Sequence, residues 1–371
     1  MGKSPAVLFE PVQLGNLSLA NRIVMAPMTR AFSPNGIPGQ NVADYYRRRA
    51  ENDVGLVITE GTNVNHPSAN MSDQIPVFYG DALEGWAKVV EDVHKVGGKI
   101  APQLWHVGMM RKQGMGIHPD APSSGPSGIN KPPKVVTDPM TLEDINAVIK
   151  AFADGARDAK KLGFDAIEIH GAHGYLVDLF FWEGSNIRDD DFGGDLISRT
   201  KFASELIAAC RAEVGADFPI ILRYSQWKQQ DFAARLAQTE DQLAGWLEPL
   251  TNAGVDIYHC STRRFWEPEF EGSNLNLAGW TKKLTGKPTI SVGSVSLNQE
   301  FIASMAGADA GHDDETLSHM DELVERVEND EFDLIAVGRA LLCDPEWGTK
   351  LKENRMADFV PYTKAADATL Y

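Results

Sequence analysis

Short runs of apolar, β-prone residues recur along the 371-residue chain and alternate with stretches in which apolar residues repeat at helical spacing. Such continuous apolar runs are typical of strands that are covered on both faces. Eight strands are predicted, at 23–28, 56–64, 100–105, 166–169, 220–223, 257–260, 289–292 and 334–337. The predicted helices include 42–51, 82–96, 142–161, 202–214, 240–252, 298–306 and 346–354.

The alternation of strands and helices determines the predicted architecture. A strand that is followed by a helix and then by another strand implies parallel pairing, and eight such units favour a closed barrel over an open sheet. The helix over 142–161 illustrates the helical units, because Thr141 and Asp144 form a capping-box pattern ahead of an apolar face. We therefore predict an α/β fold, a single (β/α)8 TIM barrel, with residues 1–371 forming one domain.

The long connections are unevenly distributed around the predicted barrel. They follow strands, at 108–139, 174–199, 225–239 and 261–277, which is the face where barrel enzymes build their sites. Residues 108–139 contain six prolines and are predicted to form a semi-rigid lid. At the opposite end, residues 12–14 and 17–19 flank Gly15-Asn16 and predict a hairpin, within a cap of residues 1–22, that closes the barrel.

Charge and cysteine content exclude several classes of partner. The net charge of −17 and the pI near 5.0 disfavour nucleic acid and anionic membranes, which both require a basic face. Cys210, Cys260 and Cys343 are too few and too scattered for a disulfide framework or a zinc site. No apolar run approaches the roughly 18 residues of a membrane span, and residues 1–6 lack a signal core. We expect a cytoplasmic protein.

Two histidines and a tyrosine follow the fourth predicted strand, in the run His170-Gly171-Ala172-His173-Gly174-Tyr175. Packing does not require these residues, and His and Tyr are side chains that donate or relay protons near neutral pH. The run therefore indicates a site for a carbonyl or phenolic oxygen. Two other interpretations remain: the His-x-x-His pair could ligate a metal, although no third ligand lies at suitable spacing, or both histidines could be structural.

Other strand ends carry neutral hydrogen-bonding groups and one buried cation. Arg223 ends an apolar strand, where a guanidinium is costly unless an anion pairs with it. Glycines after the seventh and eighth strands suit the phosphate site that barrels commonly place there. Gln103, Thr29 and the Gly61 backbone are suited to bind a planar heterocycle. Together with the phosphate candidates Gly293, Gly338 and Arg339, these residues suggest a phosphorylated flavin.

These residues resemble the Old Yellow Enzyme family of flavin-dependent ene-reductases over nearly the whole chain. The segments that carry the resemblance are 26–30, 103–106, 170–175, 186–194 and 337–339. The resemblance implies bound FMN, with NADPH or NADH as the reductant. Its cofactor site would comprise Pro27, Met28, Thr29, Gly61, Gln103, Arg223, Gly293, Gly338 and Arg339.

The resemblance also implies catalytic roles. His170 and His173 would bind the carbonyl oxygen of an enone, quinone or similar small molecule, so that flavin N5 delivers hydride to the β-carbon. Tyr175 would protonate the α-carbon, and Trp105 would stand near flavin and substrate. Some family members carry Cys at the Thr29 position or Asn at the His173 position. This chain has Thr29 and His173 at these positions. The combination leaves the subclass open, and with it the choice of monomer or homodimer.

Two alternative functions share parts of this pattern. A phosphosugar aldolase or isomerase barrel would have a similar phosphate site, but it needs a Schiff-base lysine at a strand end, and Lys228 is predicted to lie in a loop. A non-catalytic flavin protein that binds phenolic ligands would also use His170 and His173. Of the three functions, the FMN-dependent reductase assigns a role to residues at the largest number of strand ends.

Overall fold

A computed structural model describes residues 3–298, 307, 309–310 and 314–371 of the chain. Eight parallel strands close into a barrel in which each strand pairs with the next in sequence and the last pairs with the first. The strands are β1 Val12–Leu14, β2 Leu17–Leu19, β3 Ile23–Met25, β4 Leu56–Asn63, β5 Lys99–Trp105, β6 Ile167–His173, β7 Ile220–Lys228, β8 Ile257–Ser261, β9 Thr289–Val292 and β10 Leu334–Val337. Strands β3 to β10 form the barrel, which confirms the predicted fold class.

Helices surround the barrel. Those described are α1 Gln40–Ala50, α2 Ala82–Lys95, α3 Leu142–Leu162, α4 Leu176–Phe181, α5 Lys201–Val214, α6 Glu240–Ala253, α7 Leu277–Thr285, α8 Asp314–Glu328, α9 Arg339–Cys343 and α10 Trp347–Lys352. The capping box predicted at Thr141 is present, because its hydroxyl accepts from the Asp144 N–H while its own N–H donates to the Asp144 carboxylate. The helix predicted at 298–306 lies outside the described residues except for Asn298. No helix in the described ranges is long and apolar enough to cross a membrane.

The apolar core has an inner and an outer layer. The inner layer consists of small and branched residues that point into the barrel, among them Val24, Ala101 and Ile221. Leu17 and Leu19 of the β1–β2 hairpin belong to the same inner cluster, so the hairpin packs against one end of the barrel. The outer layer joins the strands to the apolar faces of the helices. One end of the barrel is thereby filled, and the opposite end remains available for a site.

Two strands are longer than the sequence predicted. Strand β6 continues through His173 and β7 continues through Lys228, because the two strands keep pairing at His170–Arg223 and, beyond a bulge, at His173–Lys228. Residues 170–173 of the histidine run are therefore part of the strand, and only Gly174 and Tyr175 follow it. The prediction ended β6 too early because polar residues were taken to mark an exit, although here they face a cavity. Lys228, predicted to lie in a loop, ends β7 and is fully buried.

Candidate active site

A cavity of about 380 Å³ lies at the carboxyl ends of the barrel strands. Its volume is in the range of small-molecule and cofactor sites, and its position is the one that barrel enzymes use. It brings together nearly all the residues predicted from sequence, which come from six of the eight barrel strands or the segments after them. Those residues are Pro27, Met28, Thr29, Gln103, Trp105, His170, His173, Tyr175, Arg223, Gly293, Gly338 and Arg339.

Gly61 does not line the cavity formed by the described residues. It lies behind Trp105, so close that a Cβ atom added to Gly61 would stand 2.5 Å from Cε3 of that indole. No real Cβ contact is that short, so a glycine lets Trp105 pack flat against β4. The structure thus gives Gly61 a packing role, and direct contact with a cofactor stays a prediction.

Arg223 supplies the positive charge of the cavity. It is 7% exposed, and burial lowers its pKa while the nearby Glu168 carboxylate acts in the opposite direction. Its Nε is buried and has no hydrogen-bond partner among the described residues. A guanidinium in that state requires an anionic or strongly accepting ligand. The N1–C2=O edge of a flavin meets this requirement, so the residues present fit FMN.

Gln103 is held in one orientation beside Arg223. Its side-chain amide donates to Oε1 of Glu168 at 2.8 Å, and the two residues are paired in register on β5 and β6. Glu168 is completely buried, so this hydrogen bond is shielded from water. The amide is thereby fixed where it can bind the polar edge of a planar ligand.

His170 is a neutral hydrogen-bond donor. Burial and the adjacent Arg223 lower its pKa well below the usual range, so the ring is uncharged at neutral pH. Its Nδ1 accepts the backbone N–H of Ala172 at 3.4 Å, which leaves the proton on Nε2. The ring also stacks on Trp105 with centroids 6.0 Å apart. His170 can therefore donate to a ligand oxygen without carrying charge.

His173 lies next to His170, with ring centroids 5.2 Å apart. Burial lowers its pKa as well, and its Nε2 is 2.8 Å from the hydroxyl of Ser261 at the end of β8. Trp227 stacks on its other side at 4.6 Å. The backbone of His173 has a left-handed φ of 66°, which is uncommon for a residue other than glycine. This conformation directs the imidazole towards the cavity.

Tyr175 completes the site as a protonated phenol. Its ring centroid is 5.0 Å from that of His170 and 4.9 Å from that of Trp105, in edge-to-face contacts. Burial raises its pKa, whereas a hydrogen bond with the Gln229 side chain and the charge of Arg223 act in the opposite direction. The hydroxyl therefore keeps its proton at neutral pH and remains within reach of a ligand held by His170.

Several cavity residues were missed by the sequence analysis. Trp227 lies in the extended end of β7, Gln229 directly follows that strand, and Ser261 ends β8. The predicted strand ends were too early to place the first two. Arg263, from the long connection predicted at 261–277, also lines the cavity.

Residues close to the carboxyl terminus also form part of the wall. Tyr362, Lys364 and Asp367 line the cavity, and the Asp367 carboxylate joins the other two at 3.0 and 2.6 Å. Arg30, next to the predicted residue Thr29, holds this segment by donating to the backbone oxygen of Thr369 at 2.5 Å. No sequence periodicity signals this contact, because it joins residues 339 positions apart.

The fold and this cavity define a cofactor-binding barrel of the oxidoreductase class, and comparisons with known proteins agree. The model of the NADH:flavin oxidoreductase / NADH oxidase family matches residues 7–358. An NADPH dehydrogenase of Clostridium acetobutylicum is 32% identical over 370 residues, covering 96% of this chain and 99% of that protein. An NADH oxidase of Thermoanaerobacter brockii is 34% identical over 361 residues, covering 94% of this chain but only 51% of that protein's length.

Solved structures of flavin oxidoreductases are also similar to this chain. Old Yellow Enzyme from Pichia sp. superimposes with a TM-score of 0.80 at 25% identity, covering 97% of this chain and 90% of that one. Morphinone reductase gives a TM-score of 0.76 at 26% identity, covering 94% and 89%. The chain belongs to the NADH:flavin oxidoreductase / NADH oxidase family, the family of Old Yellow Enzyme. This is a family of FMN oxidoreductases that use NADH or NADPH.

Proposed function

We propose that the protein is an FMN-dependent reductase that uses NADH or NADPH to reduce the C=C bond of α,β-unsaturated carbonyl compounds and related activated alkenes. The observation that carries this proposal is the pairing of a neutral imidazole, His170, with a protonated phenol, Tyr175, at 5.0 Å in the cavity that also holds Arg223. The imidazole can bind the carbonyl oxygen of the substrate, while the phenol gives a proton to its α-carbon.

When bound, FMN would supply the hydride for the β-carbon of the alkene, and NADH or NADPH would supply the electrons to the flavin. The chain's own residues prepare the substrate for it. Nε2–H of His170, with His173 beside it, binds the carbonyl oxygen and stabilises the negative charge that develops there in the transition state. The hydroxyl of Tyr175 then protonates the α-carbon, and its raised pKa keeps the proton available for this step.

The cofactor site is proposed on the same residues. Thr29, Gln103 and Arg223 would hold the isoalloxazine, with Arg223 at its N1–C2=O edge, and Pro27 and Met28 would lie beside it. Gly293, Gly338 and Arg339 would hold the phosphate, as backbone N–H groups and a guanidinium do in other barrels. All eight of these residues line the cavity, which supports this assignment.

The alternative functions identified from sequence have less support. Lys228, the lysine considered for an aldolase, is fully buried and paired with Asp178 at 2.6 Å, so its amine is not available to a sugar carbonyl. A protein that only binds phenolic ligands would need the same two histidines but no proton donor. Tyr175 is placed for donation, which favours the reductase.

The test begins with the visible absorption spectrum of the purified protein and continues with Tyr175→Phe. We expect flavin bands, and we expect the variant to be reduced by NAD(P)H at the parent's rate but to be reoxidised by an enone at least about 100-fold more slowly. Tyr224→Phe is the matched control, because Tyr224 lies on β7 with its hydroxyl bonded to Thr281 and does not line the cavity.

Three results would count against the proposal. A colourless protein that does not take up FMN would rule out the cofactor. Equal slowing of both half-reactions in Tyr175→Phe would remove the role of Tyr175. A reduced parent protein that reacts with oxygen but with no enone or quinone would favour the phenol-binding function instead.

A further inference from the structure

The turn that carries His173 and Tyr175 has an unusual backbone. His173 and Gly174 both adopt left-handed φ angles, of 66° and 76°. Glycine adopts this region without strain, whereas a residue with a side chain, such as His173, persists there only where surrounding contacts hold it in place. The contacts that hold this turn come from two elements, α4 and the extended end of β7.

A buried ion pair holds the N–H side of the turn. Oδ2 of Asp178 accepts the backbone N–H of Gly174 at 2.7 Å, and Oδ1 of the same carboxylate is 2.6 Å from Nζ of Lys228. Both side chains are 0% exposed. Burial raises the pKa of Asp178 and lowers that of Lys228, and the partner charge opposes the shift in each case.

Such a pair is not explained by stability alone. Removing two charges from water costs about as much as their attraction returns, and apolar residues of similar volume often serve as well. A buried pair can instead select one local conformation. Here Lys228 fixes the Asp178 carboxylate, and that carboxylate fixes Gly174, which stands between His173 and Tyr175.

A neutral side chain holds the other side of the turn. Nε2 of Gln230 donates to the backbone oxygen of Gly174 at 2.8 Å. The contact is so close that a Cβ atom on Gly174 would stand 1.8 Å from Oε1 of Gln230. Both polar backbone groups of Gly174 are thus bound by side chains that do not line the cavity.

We propose that Asp178, Lys228 and Gln230 form a clamp on Gly174 that positions His173 for oxygen binding and Tyr175 for proton donation. The three are positioning residues, since they act through Gly174 and do not touch the substrate. This inference rests on the proposed function, and it adds that the geometry of the oxygen site is set by side-chain contacts to Gly174 from outside the cavity.

Two double variants isolate the bond to Gly174. Asp178→Asn/Lys228→Met removes both charges but keeps an oxygen that can accept the Gly174 N–H, whereas Asp178→Leu/Lys228→Met removes both charges and that acceptor. The probe is 4-chlorophenol, whose oxygen would bind at His170 and His173. Its dissociation constant is measured from the change in the visible spectrum of the FMN-loaded protein, with FMN content and the unfolding midpoint measured alongside.

We expect the first double variant to bind the phenol within about threefold of the parent and the second to bind it at least about tenfold more weakly, while both retain FMN. If the second variant does not fold, Gln230→Ala provides the same test from the other side of Gly174, with a similar weakening expected.

Two outcomes distinguish this inference from the proposed function. If the parent protein does not bind the phenol, the proposed oxygen site is wrong, and the clamp on it is wrong too. If the parent binds the phenol and the folded variants that lack a contact to Gly174 bind it equally well, the clamp alone is overturned.

Discussion

The buried carboxylate of Glu168 accepts a 2.6 Å hydrogen bond from Nδ1 of His259 across the interior of the barrel. The two residues stand on β6 and β8, which are separated by the strand that carries Arg223. Because a carboxylate only accepts, the His259 proton lies on Nδ1, and burial lowers the pKa of the ring so that it stays neutral. His259 therefore brings no positive charge to Glu168, whose carboxylate lies close enough to Arg223 to act on the pKa of that guanidinium.

This arrangement predicts the effect of Glu168→Gln on the bound flavin. Removing a negative charge beside the site stabilises the reduced flavin, which is the more negative form, so the reduction potential should rise. We expect a rise of at least about 30 mV, which for a two-electron couple is a tenfold shift in the equilibrium. Spectroscopic titration against a reference dye measures it.

Asp165→Asn is the matched control for that measurement. Asp165 precedes the same strand at its opposite end, where it accepts the Ile100 N–H at 2.9 Å, so its charge is far from the cavity. An unchanged potential in Glu168→Gln, or equal shifts in the two variants, would contradict the prediction.

Glu60 should make the stability of the protein depend on pH. Burial raises its pKa from 4.5 to about 7, although the backbone N–H groups of Arg30 and Ala31 act in the opposite direction. Between these two values the folded state holds a proton that the unfolded state has lost, so raising the pH there favours unfolding. The contribution is fully present below pH 4.5 and is lost as the pH rises to about 7, at up to about 1.4 kcal/mol per pH unit.

Urea unfolding of the parent and of Glu60→Gln at pH 5 and at pH 7.5 measures this contribution. The glutamine cannot ionise, so the stability of the parent relative to the variant should fall over this interval. A difference between the two proteins that is the same at both pH values would show that Glu60 does not titrate there.

Gly293→Ala should weaken FMN binding through the loop after β9. A Cβ atom there would stand 2.7 Å from Oγ1 of Thr262 and 3.0 Å from the backbone carbonyl carbon of Arg263, so the backbone must move. We expect about tenfold weaker FMN binding, with riboflavin, which lacks the phosphate, affected much less. Fluorescence titration of the apoprotein with both flavins checks this.

A glycine outside the site provides the control. Gly155→Ala on α3 would add a Cβ atom 3.3 Å from the Leu104 side chain, which can adjust, and should leave both affinities unchanged. If Gly293→Ala weakens the binding of FMN and of riboflavin equally, that result would argue against a phosphate contact at this position.

Arg49→Lys should destabilise the protein by about 2 kcal/mol, because a buried guanidinium with several acceptors cannot be replaced by an ammonium. Arg49 is 0% exposed, donates to the Leu341 carbonyl through two nitrogens at 3.1 and 3.0 Å, and packs over the Tyr45 ring at 3.9 Å. These bonds hold the end of α9, the helix that begins at Arg339. Arg47→Lys, on the exposed side of α1, should change the free energy of unfolding by less than about 0.5 kcal/mol in the same urea titration.

If Arg49→Lys lowers the free energy of unfolding by no more than Arg47→Lys does, this prediction is contradicted. A larger fall in stability together with weaker FMN binding would indicate that α9 also orients Arg339, since Arg339 and the Leu341 carbonyl that Arg49 binds belong to the same short helix.

The sequence predicted the barrel well where burial alone determines the pattern. Strands β9 and β10 and both hairpin strands match the prediction residue for residue, because short apolar runs bounded by polar turns have one interpretation. The prediction was wrong at the ends of β6 and β7, where His170 and Lys228 are polar yet buried. Periodicity cannot distinguish a polar residue that faces a cavity from one that faces solvent.

Sequence pattern was similarly limited in predicting the residues of the site. Strand ends identified most of the cavity wall, since parallel strands bring their carboxyl ends to one face. They could not identify Tyr362 or Lys364, which reach the cavity through the distant anchor at Arg30. Gly61 was assigned to the cofactor because it stands at a strand end. The structure shows its packing against the indole of Trp105, which strand position does not reveal, and its contact with the cofactor stays a prediction.

The left-handed backbone of His173 also limits the evolution of this position. Asparagine, aspartate and histidine tolerate a positive φ better than other residues with side chains, whereas the left-handed conformation costs most L-residues about 1–2 kcal/mol. Most substitutions at position 173 would therefore lower the folding stability as well as alter the oxygen site. The few residues that tolerate this conformation include two that can donate a hydrogen bond, so the shape of the turn restricts variation to side chains that can still bind an oxygen.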